Sequence, residues 1–438
     1  MKQLLKKLFP ERLYLWFHYL KALLAAAVYR WPSRRLYVIG ITGTKGKTSA
    51  ANFVWSVLNA AKLKTGLIGT ANIRMGDKET MNEYHMTMPG PFVIQKILRT
   101  MVKEGCTHVV MEATSEGMKL SRHIGIDFDC AIFTNLTPEH LPSHGGSFDN
   151  YKQAKAKLFK SLKGHRKTIR GENIESGSIT NFDDEHQRFY KQFPADRKIT
   201  YGLQQGADLR ATEIKENVTG VDFRIGTLNF HLNMLGKFNV LNALPAIAAG
   251  RLLGLPEDRI RQGIAALKLI PGRMEVIDAG QNFTTIVDYA HEKVSMNLLL
   301  DAGRGMATEG AKVIVLLGAE GGGRDKAKRS HMGEAAAKKA DIVICSNVDP
   351  YEDDPTPIVE DIAIVAEQHG KKRGLDLFVI EDRREGIRKA LSLAKPKDIV
   401  LITGKGAEQT MIIGGKSIPW DDREVVREEL MKLTVNQN

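Results

Sequence analysis

Gly40-Ile-Thr-Gly-Thr-Lys-Gly-Lys-Thr48, arriving directly after the apolar run Leu36-Tyr-Val-Ile39, reads as a buried strand, a glycine turn and the opening of a helix. Elements in that order grip phosphate. Gly43 and Gly46 let the chain turn so that successive N–H groups converge, and the helix starting near Lys47 aims its positive dipole end at the same point. Lys47 would meet the β and γ phosphates as a point charge, and the Thr48 hydroxyl would hold magnesium. Thr44, Lys45 and Ser49 complete the wrap. The stretch departs from GxxxxGK(S/T) at Ile41, which stands where the first glycine would be. A chance glycine turn competes with this reading; what surrounds the loop favours ATP with Mg2+.

Outward from the loop, apolar strand-like runs alternate with helical ones. Strands are expected at Thr65–Thr70, Thr107–Met111, Cys130–Thr134 and Gly177–Asn181, with helices near Thr48–Lys62, Pro91–Lys103 and Tyr151–Leu162. Such alternation predicts an α/β fold with a mostly parallel, doubly wound sheet. From Asp208 to Met234 the period drops to 2, as in Val221-Asp-Phe-Arg-Ile225, which predicts an antiparallel addition. Helices at Asn239–Leu253 and Glu257–Ala266 precede Pro271-Gly272. A second alternating series then runs through Phe283–Val287, Lys312–Leu317, Ala340–Cys345, Leu375–Ile380 and Asp398–Thr403. The expected division is an N-terminal segment 1–35, a central P-loop domain 36–270 and a Rossmann-like C-terminal α/β domain 271–438.

The formal net charge of +12 resembles a nucleic-acid signal until its position is examined. Eight basic residues against Glu11 place +7 of it within the first 35 residues, so the body is ordinary and no nucleic-acid partner is expected. The same segment carries Leu13-Tyr-Leu-Trp-Phe-His-Tyr-Leu20 and Ala22-Leu-Leu-Ala-Ala-Ala-Val-Tyr29. A spanning helix needs about 20 mostly apolar residues, and this one is interrupted by His18 and Lys21. Three placements follow: a helix lying in the membrane interface, one docked on the protein's own body, or a true span. Strand residues follow Ser33-Arg-Arg35 at once, without a good cleavage site, so a cytoplasmic protein is expected, with peripheral association of residues 1–35 at the inner face of the membrane an open option. Cys106, Cys130 and Cys345 lack CxxC spacing and read as buried thiols of a reducing compartment.

Two further positions give the loop chemistry. Val109-Val-Met111 ends in Glu112, at the carboxyl end of a strand, where doubly wound sheets hold ligands. The next strand leads into Thr134-Asn-Leu-Thr-Pro-Glu-His140. Alone, Glu112 is as readily a solvated loop charge and His140 a structural histidine; beside a phosphate loop both are candidate magnesium ligands.

With Thr42-Gly-Thr-Lys-Gly-Lys-Thr48, Glu112, Ser115, Arg122, Phe133-Thr-Asn-Leu-Thr-Pro-Glu-His140 and Tyr151-Lys-Gln-Ala-Lys155-Ala-Lys-Leu-Phe159 in this order, the chain resembles the Mur ligases, most of all those that add the third residue of the peptidoglycan stem peptide. The resemblance runs from Leu36 to the C-terminus. It implies an ADP-forming acid–amino-acid ligase acting on a muropeptide-type substrate and an amino acid, through an acyl phosphate, with ATP contacts from both domains. It implies a carbamate on Lys155 as ligand to a second magnesium, and adenine contacts from Asn239 and Asn242. It brings Arg273 to the phosphates and Asp288 to the ribose. Thr87, Ser115 and Arg122 fall on substrate positions, as do Asp349, Gly404 and Glu408; Arg324 and Asp325 match in order.

Departures matter as well. The family's UDP-holding N-terminal domain has no counterpart in the residues before the loop, which raises the expectation of a membrane-delivered, lipid-linked or altered donor. Where diaminopimelate-adding enzymes carry Asp-Asn-Pro-Arg, this chain has Val348-Asp349-Pro350-Tyr351. Tyrosine cannot replace a bidentate arginine clamp on a distal carboxylate, which shifts the expected acceptor towards lysine. Glu116 and Ala407 stand where the family has histidine. Two alternatives stay open: an amide ligase of folylpolyglutamate or poly-glutamate type, and a membrane-surface nucleotide switch or scaffold.

Overall fold

The computed structural model describes residues 11–76, 78–82, 84, 86–139, 141–162, 167–169, 171–217, 220–323 and 326–435. The chain divides into two compact units, Met1–Lys268 and Leu269–Asn438.

The strands of the first unit are β1 (Tyr37–Thr42), β2 (Thr65–Ile68), β3 (Asn72–Met75), β4 (Lys78–Met81), β5 (His108–Glu112), β6 (Cys130–Phe133), β7 (Lys167–Ile169), β8 (Glu172–Ile174), β9 (Gly177–Asn181), β10 (Arg197–Gly202), β11 (Leu209–Asn217), β12 (Gly220–Ile225) and β13 (Leu228–Leu232). All but the separate β7–β8 hairpin join one sheet in the order β13-β12-β11-β10-β9-β6-β1-β5-β2-β3-β4. From β11 to β2 every pairing is parallel; antiparallel β12–β13 and β3–β4 extend the two ends. β1 is buried along its whole length, as a central parallel strand covered on both faces must be. It lies between β5 and β6, so the carboxyl ends of three strands meet where the glycine loop begins.

The helices are α1 (Glu11–Val28), α2 (Lys47–Ala60), α3 (Pro91–Lys103), α4 (Ser115–Lys119), α5 (Phe148–Lys160), α6 (Gln187–Lys191), α7 (Phe238–Leu252) and α8 (Glu257–Ala266). α2 packs on α7 and α8; on the far face, Phe128, Phe133, Tyr151, Leu158 and Phe159 close the core around the β1–β6 pair. α5 opens at Phe148, three residues before the expected start, because the Ser147 hydroxyl caps it by accepting from the Asn150 N–H at 3.2 Å.

α1 is docked on this unit. It packs on α3, buries Ala22, Ala25 and Ala26, and is tied down by Glu11 to Lys119 at 2.9 Å. The following turn is anchored where Ser33 Oγ accepts from the Asp127 N–H at 3.1 Å. Among the described residues no helix is long and apolar enough to cross a membrane, which removes the true span from the three placements.

The second unit repeats the logic on a smaller scale. β14 (Glu275–Ile277), β15 (Thr284–Asp288), β16 (Val313–Leu317), β17 (Ile342–Cys345), β18 (Leu377–Val379) and β19 (Ile399–Thr403) form a sheet of order β14-β15-β19-β16-β17-β18, parallel except for β14. Helices α9 (Lys293–Met306), α10 (Ala327–Lys339), α11 (Pro355–Gln368), α12 (Arg383–Leu393) and α13 (Asp422–Val435) cover it, and β20 (Thr410–Ile413) pairs with β21 (Lys416–Pro419) as a hairpin.

Candidate active site

Gly46 is the N-cap of α2 at φ 77, with no side chain to satisfy the helix's first N–H groups. A Cβ there would fall 2.4 Å from Asn242 Oδ1, so the loop and α7 approach closely enough to demand glycine. Gly43, at φ 152, leaves no room either: a Cβ would meet Thr134 Oγ1 at 1.9 Å. The loop's shape is held by the segment after β6. The Lys45 N–H donates to Asn135 Oδ1 at 2.8 Å, and Thr134 Oγ1 donates to the Lys45 carbonyl at 2.7 Å. Thr44 Oγ1 shares a hydrogen bond with the Tyr151 hydroxyl at 3.1 Å. Lys45 pairs with Glu139 at 3.0 Å, and Ser49 is buried in the first turn of α2.

Lys47 Nζ donates to the Gly43 and Thr44 carbonyls at 3.0 and 2.9 Å, folding back over the cradle it would share with a phosphate. Beside it, Thr48 Oγ1 donates to Glu112 Oε2 at 3.1 Å. Glu112 is fully buried, and its carboxylate also accepts from the Thr70 N–H at 2.6 Å and from Thr70 Oγ1 at 3.0 Å. Thr70 in turn bonds the Thr87 hydroxyl at 2.9 Å. A hydroxyl and a carboxylate side by side at the mouth of a glycine loop are hard oxygen donors suited to Mg2+, which keeps waters and takes phosphate oxygens for its other positions. His140 and the Arg324-Asp325 pair lie outside the described residues.

Lys155 reaches the loop from α5. Its buried Nζ donates to the Gly43 carbonyl at 2.6 Å and lies 4.5 Å from the Tyr151 ring centre. Burial, and then the positive charge of Lys47, push this amine well below the usual lysine range. Both effects favour the uncharged amine, the form able to take up CO2.

On the other side of Glu112, Ser115 shares a 3.1 Å hydrogen bond with His144 Nε2. Burial first, and Lys119 second, lower the His144 pKa, favouring a neutral ring. Arg122 donates to the Met88 carbonyl, next to Thr87, and burial lowers its pKa. In α7, Asn242 Nδ2 donates to Asn239 Oδ1 at 2.9 Å, and Asn239 Nδ2 to the Leu235 carbonyl at 2.7 Å, while no side chain caps the helix.

In the second unit, Arg273 lies over the Tyr289 ring at 4.3 Å. The Asp288 carboxylate accepts from the Met274 and Ala290 N–H groups, both at 2.8 Å, stapling the Pro271–Glu275 turn to β15. Burial raises its pKa against the pull of Arg273. Lys405, almost wholly buried, donates to Asp349 Oδ2 at 2.8 Å and to Glu408 Oε2 at 2.5 Å, and the Tyr289 hydroxyl donates to Glu408 Oε1 at 2.9 Å. The Gly404 N–H donates to the Asp288 carbonyl at 3.1 Å. Asp349, Gly404, Glu408, Asp288 and Arg273 thus share one end of the β15–β19 pair, knit by Tyr289 and Lys405. Sequence reading passed over Thr70, Asn135, Tyr289 and Lys405. Thr70 and Tyr289 could have been found by taking the first residues after every parallel strand as candidates; nothing local marked Asn135 or Lys405.

A parallel sheet with a glycine loop at its switch point and a Thr48–Glu112 pair beside it defines an α/β enzyme that uses a nucleoside triphosphate. The Mur ligase middle domain model matches residues 41–250, and the Mur ligase, glutamate ligase domain model matches residues 272–406. UDP-N-acetylmuramyl-tripeptide synthetase of Roseiflexus sp. (strain RS-1) is 38% identical over 421 residues, 94% of this chain and 81% of that protein. UDP-N-acetylmuramoyl-L-alanyl-D-glutamate--2,6-diaminopimelate ligase of Geobacillus kaustophilus (strain HTA426) is 38% identical over 411 residues, 93% and 81% of the two chains. A solved ligase of that same description superposes with a TM-score of 0.61 at 28% identity, covering 91% of this chain and 79% of the other. Mycobacterium tuberculosis folylpolyglutamate synthase, complexed with ADP and AMPPCP, gives a TM-score of 0.68 over 88% and 92%, but at 18% identity it shares the fold alone. The chain belongs to the Mur ligase family, the ATP-dependent, ADP-forming ligases.

Proposed function

We propose that this ligase joins an amino acid to the free carboxylate of a UDP-MurNAc-dipeptide-like donor, in peptidoglycan precursor synthesis. The observation that carries the reading is the convergence of Thr48, Glu112 and the buried Lys155 amine on one phosphate loop. The donor carboxylate attacks the γ-phosphorus of ATP, the bond to the β-phosphate oxygen breaks, and ADP leaves. The amino group then attacks the acyl phosphate, loses a proton and expels phosphate. Lys47 and the N-terminus of α2 steady the phosphates. Thr48 and Glu112 would hold Mg2+, with His140 as a further candidate, and a Lys155 carbamate a second ion. Bound magnesium neutralises the charge that gathers on the transferring group. Lys155 supplies that ligand by forming an N–C bond to CO2 and releasing a proton, which requires the unprotonated amine. By resemblance to the family, Asn239 and Asn242 would serve the adenine, and Arg273 and Asp288 the phosphates and ribose. Thr87, Ser115 and Arg122 would serve the donor, and Asp349, Gly404 and Glu408 the incoming amine.

Use of ATP and three buried cysteines outside any disulfide fit the cytoplasm. Relatives named for diaminopimelate favour that acceptor, while Tyr351 in place of an arginine favours one without a distal carboxylate. The test is phosphate release from ATP and magnesium with UDP-MurNAc-L-Ala-D-Glu, across lysine, diaminopimelate, ornithine and no amine, with mass detection. An amine-dependent tripeptide supports the ligase and names the acceptor. Phosphate without amine would instead support a nucleotide switch, and product only with a folate or glutamate chain a folylpolyglutamate-type enzyme.

A further inference from the structure

A surface helix normally turns its large apolar residues inward and its polar ones to water. α1 does the reverse. The fully buried residues of its packed face are Ala22, Ala25 and Ala26, with Tyr14, Leu15, His18 and Leu23 half-buried. The outward face carries Leu13, Trp16, Phe17, Leu20, Leu24 and Val28, whose helical spacing places them in one stripe. Trp16 is 58% exposed, Phe17 61%, Leu24 59% and Val28 58%. A contiguous row of this kind on a helix already docked by its other face marks a surface that something covers.

We propose that the outward face of α1 seats the protein on an anionic lipid surface. Charge decides the occupant. Arg12, Lys21, Arg30 and Arg35 are exposed around the stripe, while the acidic Glu11 is drawn to Lys119 at 2.9 Å. Anionic headgroups complement a basic rim, whereas a second copy of the chain would bring two such rims together. Trp16 and Tyr19 present rings with a polar edge of the kind that settle at headgroup level. The helix lies in the interface instead of crossing it, being 18 residues long and seated along its length on protein. Through Lys119 its first turn adjoins α4 and Ser115, so the seat is on the donor side of the proposed site; that orientation alone rests on the ligase reading, and the docking does not.

The test uses the full chain with sedimented vesicles of phosphatidylglycerol and phosphatidylethanolamine, against vesicles of phosphatidylcholine. The expected result is pelleting with the anionic vesicles only, weakened by salt, and a fall of more than about tenfold in the bound fraction for Phe17→Glu/Leu20→Glu/Leu24→Glu. The three positions are exposed, so thermal midpoint and phosphate release with the soluble donor stay unchanged, which separates this proposal from the ligase reading. Should the triple variant fail to fold, Arg12→Glu/Lys21→Glu tests the rim with the same expected loss. Pelleting unaffected by either variant, or none with anionic vesicles, overturns the proposal. A dimer that the triple variant dissolves, without vesicle binding, overturns it in favour of an interface between copies.

Discussion

At Lys155 two pressures act on one side chain in the same direction. An ammonium buried beside Lys47 loses hydration and gains repulsion, and both favour the neutral amine. The expected consequence is chemical: with 13C-bicarbonate the protein should show a carbamate carbon signal by NMR that Lys155→Arg lacks, and the variant's turnover should fall by a factor on the order of 100 or more. Equal signals in both would remove Lys155 from the metal site. Glu112, beside it, accepts hydrogen bonds from Thr48 and Thr70. Glu112→Gln keeps the size and part of the bonding but loses the charge. Its turnover should drop about 100- to 1000-fold, and the magnesium concentration for half-activity should rise. A variant with normal magnesium dependence would place the metal elsewhere. His140 and Glu112 stand out in the sequence as members of motifs; Thr70 does not, because its bond to Glu112 joins the ends of two strands 42 residues apart in sequence.

Between elements, the buried charges of the second unit act as joints. Arg383 on α12 is fully buried and makes a bidentate pair with Asp422 at the start of α13, at 2.8 and 2.6 Å. Such a pair fixes geometry more than it adds stability, since both charges were desolvated to form it. Further along the same helices, Glu429 accepts from Arg388 at 2.7 Å, Arg384 at 3.0 Å and Lys432 at 2.8 Å. Led by Arg388, these bonds draw its pKa from 4.5 to about 2. A folded value below the unfolded one stabilises above the unfolded pKa and is lost as pH falls through the folded one. The thermal midpoint of the wild type should therefore fall more steeply than that of Glu429→Gln between about pH 5 and about pH 2. Parallel slopes would show that the α12–α13 joint does not depend on this carboxylate. Neither joint is visible in the sequence, where each residue is one charge on the polar face of a helix.

Over the whole molecule, two units with separate sheets and cores predict two calorimetric transitions. The phosphate loop belongs to Met1–Lys268, so a non-hydrolysable ATP analogue with magnesium should raise that unit's transition, by about 2.7 kcal/mol of stability at a hundredfold excess over Kd. A shift confined to the other transition would contradict the assignment of the loop. The net charge of +12 is also a whole-molecule quantity with a local origin: most of it lies at the N-terminal end, beside a helix with its apolar face outward.

The sequence by itself determined the α/β alternation, the phosphate loop and the family. Buried parallel strands are continuous apolar runs, and the loop is a short contiguous stretch whose glycines and lysine must stand at fixed spacing. It also marked β2, β5, β6, β9 and β15 to β19 to within two residues, but not β10, β14 or the β3–β4, β7–β8 and β20–β21 hairpins; in β4 the charged, exposed Lys78 and Glu79 carry no core pattern. Only the tertiary structure decided which way α1 faces, because an all-round apolar helix has no moment to orient it until alanines and large side chains are sorted by contact. Tertiary structure likewise brought Thr70 to Glu112 and Lys405 to Asp349 and Glu408. Those contacts depend on where parallel strands end side by side, and a strand's register is set by its neighbours in space, not in sequence.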